Sequence, residues 1–255
     1  MATACTSRNR VTLTANPVSS FTGGPAVVPR RRPGNSLTPV ATESCCLIRP
    51  ADHPPPVLSV TLDGMSFGGK SVLGQIDLAL APGETVAITG PSGVGKSTLM
   101  RIIAGLEYRQ SGHVRRPDKL AMVFQEPTLM RWRSVADNLA IPLGLTPAQI
   151  DIALEEVGLA GRGTAFPDQM SLGQQRRLSL ARAFAGKPDL LLLDEPFVSL
   201  DADLSDEMMT LFERLRDSHP VATLLVTHAI PEAERLATRI LELSGSPAQL
   251  QARRC

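Results

Sequence analysis

The segment Gly90-Pro91-Ser92-Gly93-Val94-Gly95-Lys96-Ser97-Thr98 fits the pattern G-x-x-x-x-G-K-[ST]. Glycines at this spacing let successive backbone N–H groups turn inward around phosphate oxygens. A helix opening at Lys96 would point its positive end at the same place. Lys96 supplies a point charge for β- and γ-phosphates, and the Ser97 hydroxyl is a Mg²⁺ ligand. A second chemical signal is Leu190-Leu191-Leu192-Leu193-Asp194-Glu195-Pro196, an apolar run that ends in two acids. Buried strands rarely carry carboxylates without cause. Beside a phosphate loop, Asp194 can orient a Mg²⁺ shell and Glu195 can polarise an attacking water as general base. Together these residues predict the handling of a nucleoside triphosphate. The Asn-Lys-x-Asp base reader of a GTPase is not found in the sequence.

The elements around these residues suit that role. Val57–Leu62 and Val72–Leu80 alternate apolar and polar residues, as half-buried antiparallel strands do. Glu84–Thr89 reads as a short apolar strand feeding the glycine loop, and Lys96–Ala104 as the helix after it, with Gly105 as its stop. Leu120–Phe124 is a further strand, followed by a mostly helical stretch. Thr146-Pro147-Ala148-Gln149 and Ser171-Leu172-Gly173-Gln174 are capping boxes, opening helices to about residues 157 and 185. Strand 190–193, helix 204–217, strand 221–227, helix 231–237 and strand 239–243 complete the series. The alternation predicts an α/β fold with a mainly parallel core sheet, an antiparallel β subdomain before it and a helical insertion over about 126–188.

Composition bounds the function. The chain has 255 residues and a formal net charge of +1, which excludes binding to nucleic acid or anionic membrane by bulk charge. Four cysteines exclude a disulfide scaffold. The longest apolar runs span only a few residues, such as Leu190–Leu193, whereas a membrane-spanning helix needs about 20. The first 56 residues read as a disordered tail, rich in Pro, Ser, Thr and Arg and ending in Pro54-Pro55-Pro56. Arg8, Arg10, Arg30, Arg31, Arg32 and Arg49 face only two acids there, Glu43 and Asp52. A transit peptide is a second reading of this basic stretch, though it has no amphipathic period, and a true start lying downstream is a third. Cys5, Cys45 and Cys46 fall in the tail and Cys255 ends the chain. Cys45-Cys46 has no matching second pair for zinc and reads as bystander thiols.

In this order the motifs resemble those of the ATP-binding subunits of ABC transporters, over about Val57 to Leu243. The loop is the family's Walker A and Leu190–Glu195 its Walker B. The resemblance places the Q-loop glutamine at Gln125, in Val123-Phe124-Gln125-Glu126-Pro127, as a catalytic residue and Mg²⁺ ligand. It places the signature at Met170-Ser171-Leu172-Gly173-Gln174, the D-loop at Ser199-Leu200-Asp201 and the switch histidine at His228. It implies that Ser171, Gly173 and Gln174 meet the γ-phosphate held by a second subunit, so that nucleotide is sandwiched in a dimer. Phe67 stands where the family keeps an aromatic that stacks on adenine. Three positions depart from the pattern: Leu172 replaces the commoner glycine, Phe67 the commoner tyrosine, and Arg131 the proline that often precedes Trp132. Residues 57–255 are accordingly expected to form one ABC ATP-binding domain with ATP and Mg²⁺ as cofactors.

Phe124-Gln125-Glu126-Pro127, with Leu129 and Trp132-Arg133 shortly after, most resembles importers of the nitrate, sulfonate and taurine type. An importer of a thiamine-precursor-like compound is the next candidate. The resemblance implies a transmembrane permease as partner, indirectly an extracytoplasmic solute-binding protein, and a peripheral place on the cytoplasmic face of the membrane. A soluble ABC ATPase acting on nucleic acid or ribosomes usually carries two cassettes or coiled-coil arms. This sequence has one cassette and no heptads. A regulatory ABC subunit that moves no solute is the remaining alternative.

Overall fold

The computed structural model describes residues 54–108 and 110–253, with Phe67 described in its backbone alone. The expectations for the tail up to residue 53 and for Cys255 lie outside these residues. In chain order the elements are β1 (Leu58–Phe67), β2 (Lys70–Leu73), β3 (Ile76–Leu80), β4 (Thr85–Thr89), α1 (Lys96–Ala104), β5 (Gln110–Arg115) and β6 (Leu120–Val123). Then come α2 (Val135–Leu143), α3 (Pro147–Glu156), a 3-10 turn at Pro167–Gln169, α4 (Leu172–Ala185), β7 (Leu190–Asp194), α5 (Ala202–Ser218), β8 (Ala222–Val226), α6 (Ile230–Leu236), β9 (Arg239–Gly245) and β10 (Ala248–Ala252).

The ten strands of the described residues join one sheet in the order β3-β1-β2-β10-β9-β4-β8-β7-β6, with β5 on β1. The strands β9, β4, β8, β7 and β6 run parallel. The β1 to β3 and β5 pairings are antiparallel. This is the α/β architecture of a phosphate-loop cassette with an antiparallel flank. Of the parallel strands, β4, β7 and β8 are buried along their whole length, which explains their nearly unbroken apolar runs. Leu191 and Leu193 pack with Val135, Phe184 and Phe212 on one side, and Leu190 and Leu192 pack with Leu99, Ile102 and Ile103 on the other. Each such buried leucine contributes on the order of 1.5–3 kcal/mol.

Two expectations need correction. The strand predicted over 72–80 is interrupted at Gly74, whose N–H leaves the ladder to donate to Ala248 O at 2.8 Å. Strands β5 and β10 add to the predicted set. β5 is mostly exposed and lacks apolar alternation, so only its backbone pairing to β1 makes it a strand. The capping boxes form as the spacing requires: Thr146 and Gln149 open α3, and Ser171 and Gln174 open α4, each worth about 0.5–2 kcal/mol.

Between β6 and α2 the loop is fixed by a side chain. Asn138, wholly buried on α2, accepts from Met130 N at 2.8 Å and donates to Met130 O at 3.1 Å and Ser134 O at 2.9 Å. Arg182 of α4 donates to Thr128 O at 2.8 Å and Thr128 Oγ1 at 3.0 Å. At the apex of this tethered loop Trp132 is 75% exposed.

Candidate functional site

The glycine loop leaves β4 at the edge of the sheet where the parallel strands end. Ile88 pairs with Val226, Asp194 pairs with Val226 from the other side, and Val123 pairs with Leu193. That register sets Gly90, His228, Glu195 and Gln125 side by side, each one or two residues past a paired position. Gly90 has φ +148°, and a Cβ built there would lie 2.3 Å from Leu243 O, so only glycine lets the loop pass so close to β9. The loop turns back through Gly95, in the left-handed conformation, which caps α1.

Lys96 is 4% exposed. Its ammonium donates to Gly90 O at 3.0 Å and Pro91 O at 3.1 Å, and lies 3.6 Å from Glu195 Oε1. The other Glu195 oxygen is 3.3 Å from His228 Nδ1. Glu195 therefore bridges a buried cation and a half-exposed imidazole. Ser97 Oγ donates to Asp194 Oδ1 at 3.2 Å. Burial raises the Asp194 pKa above the usual carboxylate value; the Ser97 hydrogen bond opposes the rise and the neighbouring Glu195 charge adds to it. The arrangement offers one ammonium able to exchange loop carbonyls for phosphate, one pair of hard oxygens, and one carboxylate at the open edge.

Other sequence candidates are placed less closely. Gln125 is exposed, two residues past β6. Ser171 caps α4, accepting from Gln174 N at 3.3 Å while Gln174 Oε1 accepts from Ser171 N at 3.2 Å. Gly173 lies in the first turn of α4 and is buried against Leu204. Among the described residues no hydrogen bond or ion pair joins Ser171, Gly173 or Gln174 to the phosphate loop. The Phe67 side chain lies outside the described residues, and its backbone closes β1. Leu172 is helical and 43% exposed, so the departure from glycine costs the backbone nothing there.

Two residues escaped the sequence reading. Arg176 of α4, 7% exposed, donates through Nη1 to Pro196 O and through Nη2 to Val198 O at 2.7 Å. Burial lowers its pKa. Glu232 of α6, 9% exposed, accepts from Thr227 Oγ1 at 2.5 Å, and Thr227 Oγ1 in turn accepts from Ala229 N at 3.0 Å, which frames His228. Burial raises the Glu232 pKa, partly offset by Thr227 and His228. A charged residue next to a motif gives no sequence signal of burial, so neither was legible.

Residues 73–198 match the family described as ABC transporter. The chain is 44% identical over 190 residues to the aliphatic sulfonates import ATP-binding protein SsuB of Granulibacter bethesdensis, covering 74% of this chain and 80% of that protein. It is 48% identical over 181 residues to SsuB 1 of Pseudomonas fluorescens, covering 70% of each. To SsuB 2 of Mesorhizobium japonicum it is 45% identical over 192 residues, covering 74% and 77%. The matched span holds the phosphate loop, Gln125, the Ser171 helix start and the acidic end of β7. On that agreement of site and sequence, the chain belongs to the ABC transporter family as an ATP-binding, ATP-hydrolysing subunit.

Proposed function

We propose that the chain binds MgATP at residues 90–98 and hydrolyses it within a dimer to drive a permease that imports small sulfonates or related anions. The observation that carries this reading is the linked set Ser97–Asp194 and Lys96–Glu195–His228 at one edge of the parallel strands. Lys96 would give up its loop carbonyls to the β- and γ-phosphates. Glu195 would take the proton of the attacking water, and His228 would hold the γ-phosphate and orient Glu195. Phe67 would stack on adenine, and Ser171, Gly173 and Gln174 would reach the γ-phosphate bound by a paired subunit.

The donor set fits magnesium. Ser97 and Asp194 offer hard oxygens, with Gln125 near the same strand ends. Among the described residues no group of three or more His, Cys, Asp or Glu is placed to hold a metal alone, which suits an ion held largely by phosphate and water. Magnesium, when bound, neutralises charge on the phosphates.

In this reading residues 57–255 are the ATP-binding cassette, with its helical part over about 126–188. No helix among the described residues is long and apolar enough to cross a membrane, so in this reading the permease spans it and the chain sits peripherally on its cytoplasmic face. The solute class rests on the relatives named for aliphatic sulfonates. An extracytoplasmic binding protein would select the solute. The test is ATP hydrolysis by the chain reconstituted with its permease and binding protein. Alkanesulfonates should stimulate it, and thiamine precursors should not. Stimulation by the precursors alone would overturn the solute class, and ATPase activity indifferent to every solute would favour the regulatory alternative.

A further inference from the structure

We propose that Arg176 is a positioning residue for hydrolysis, tying the helix that begins at Ser171 to the turn that carries Glu195. This rests on Glu195 acting as the general base. The turn after β7 is unusual in its backbone. Glu195 and Ser199 both have left-handed φ, +48° and +63°, and neither is glycine. Such conformations persist only where the surroundings enforce them. Glu195 N donates to Val226 O at 2.9 Å, and Val198 N donates to Glu195 O at 3.3 Å, which closes the turn on itself. The carbonyls of Pro196 and Val198 receive the Arg176 guanidinium.

That guanidinium is the tie between two motifs. It leaves α4 within two turns of Ser171 and holds two carbonyls two residues apart through two separate nitrogens of one planar fork, a geometry that a compact ammonium does not reproduce. It lies at the wall of a cavity of about 10 Å³, beside Phe124 and Pro127, which flank Gln125, and Phe197. Its Nε is buried and without a partner, a cost accepted to keep the fork in place. The loop of Gln125, the Ser171 helix and the Glu195 turn therefore meet at one charged side chain. A shift of α4 relative to the sheet moves the Pro196 and Val198 carbonyls with it, and Glu195 immediately precedes Pro196. Engagement of the Ser171 end would in this way be felt at Glu195.

The test compares Arg176→Met, which keeps the stem and removes the donors, with Arg176→Lys, which keeps the charge but gathers its donors on one nitrogen. Each is made in the full chain and in its Glu195→Gln form, and single-turnover hydrolysis of radiolabelled MgATP and affinity for a fluorescent ATP analogue are measured. Arg176→Met should lower the hydrolysis rate at saturation at least tenfold with affinity within twofold of the parent, and Arg176→Lys should fall between them. In the Glu195→Gln form neither change should lower the rate further, because no base remains to be misplaced. Where the Met variant melts below the assay temperature, the Lys variant carries the comparison. A parental rate in a folded variant overturns the proposal, as does a loss repeated in full without Glu195. A Glu195→Gln chain that hydrolyses at the parental rate instead overturns the reading of Glu195 as base.

Discussion

At the scale of single residues, the site holds its charges in mutual contact. Lys96 is bound to its own loop and to Glu195, so nucleotide binding is an exchange of partners for a cation that is already placed. Lys96→Ala removes that cation and should weaken a fluorescent ATP analogue at least about tenfold, consistent with loss of charge-assisted hydrogen bonds. Equal titration curves for variant and parent would refute the assignment. Glu232 makes a pH prediction. Burial raises its pKa above the ordinary value of 4.5, so the folded state favours the protonated carboxyl. Its contribution is fully present below that ordinary value and is lost as pH rises through the raised one. Glu232→Gln keeps an acceptor for Thr227 and removes the titration. Urea unfolding should show the variant gaining on the parent as pH rises above about 4.5, and parallel stability curves would contradict the burial argument.

At the scale of elements, the strands and helices that hold the site were legible where local chemistry and periodicity agree. The fully buried, mostly apolar β4, β7 and β8, the capping boxes of α3 and α4 and the glycine loop could all be read directly. What could not be read depends on partners distant in sequence. β5 exists through its ladder to β1, and the break at Gly74 through Ala248. The Arg176 and Asn138 tethers end on backbone carbonyls, which no side-chain pattern announces. The turn from β4 into α1 gives a sharp test of packing. Gly90→Ala drives a Cβ against the backbone oxygen of Leu243, whereas Gly93→Ala, at φ +78°, meets open space. Both variants carry the left-handed penalty of roughly 1–2 kcal/mol. Gly90→Ala should cost about 1–3 kcal/mol more, the usual price of overpacking. Equal denaturation midpoints for the two would show that β9 yields.

At the scale of the whole molecule, the Ser171 helix start and the phosphate loop share no direct hydrogen bond among the described residues. One set joins Lys96, Ser97, Asp194, Glu195 and His228, and another caps the helix at Ser171. A shared site between two chains predicts complementation. Glu195→Gln should be an ATP-bound dimer on sizing and lose about 10²–10⁴ in rate, the range for a general base. Ser171→Arg should bind ATP and dimerise poorly. When the two are mixed, one site of the mixed dimer takes both defects and the other has neither, so activity should return. A monomeric Glu195→Gln chain with ATP, together with full activity in Ser171→Arg, would refute sharing. The loop pinned by Asn138 and Arg182 has a further use. It carries the chain's single tryptophan, held out in water on a fixed backbone. The intrinsic fluorescence of the free subunit is then that of a hydrated indole. A blue shift on adding permease in detergent would report burial of this loop, while ATP alone, bound at the end of β4 three strands across the sheet from β6, should leave the emission wavelength unmoved.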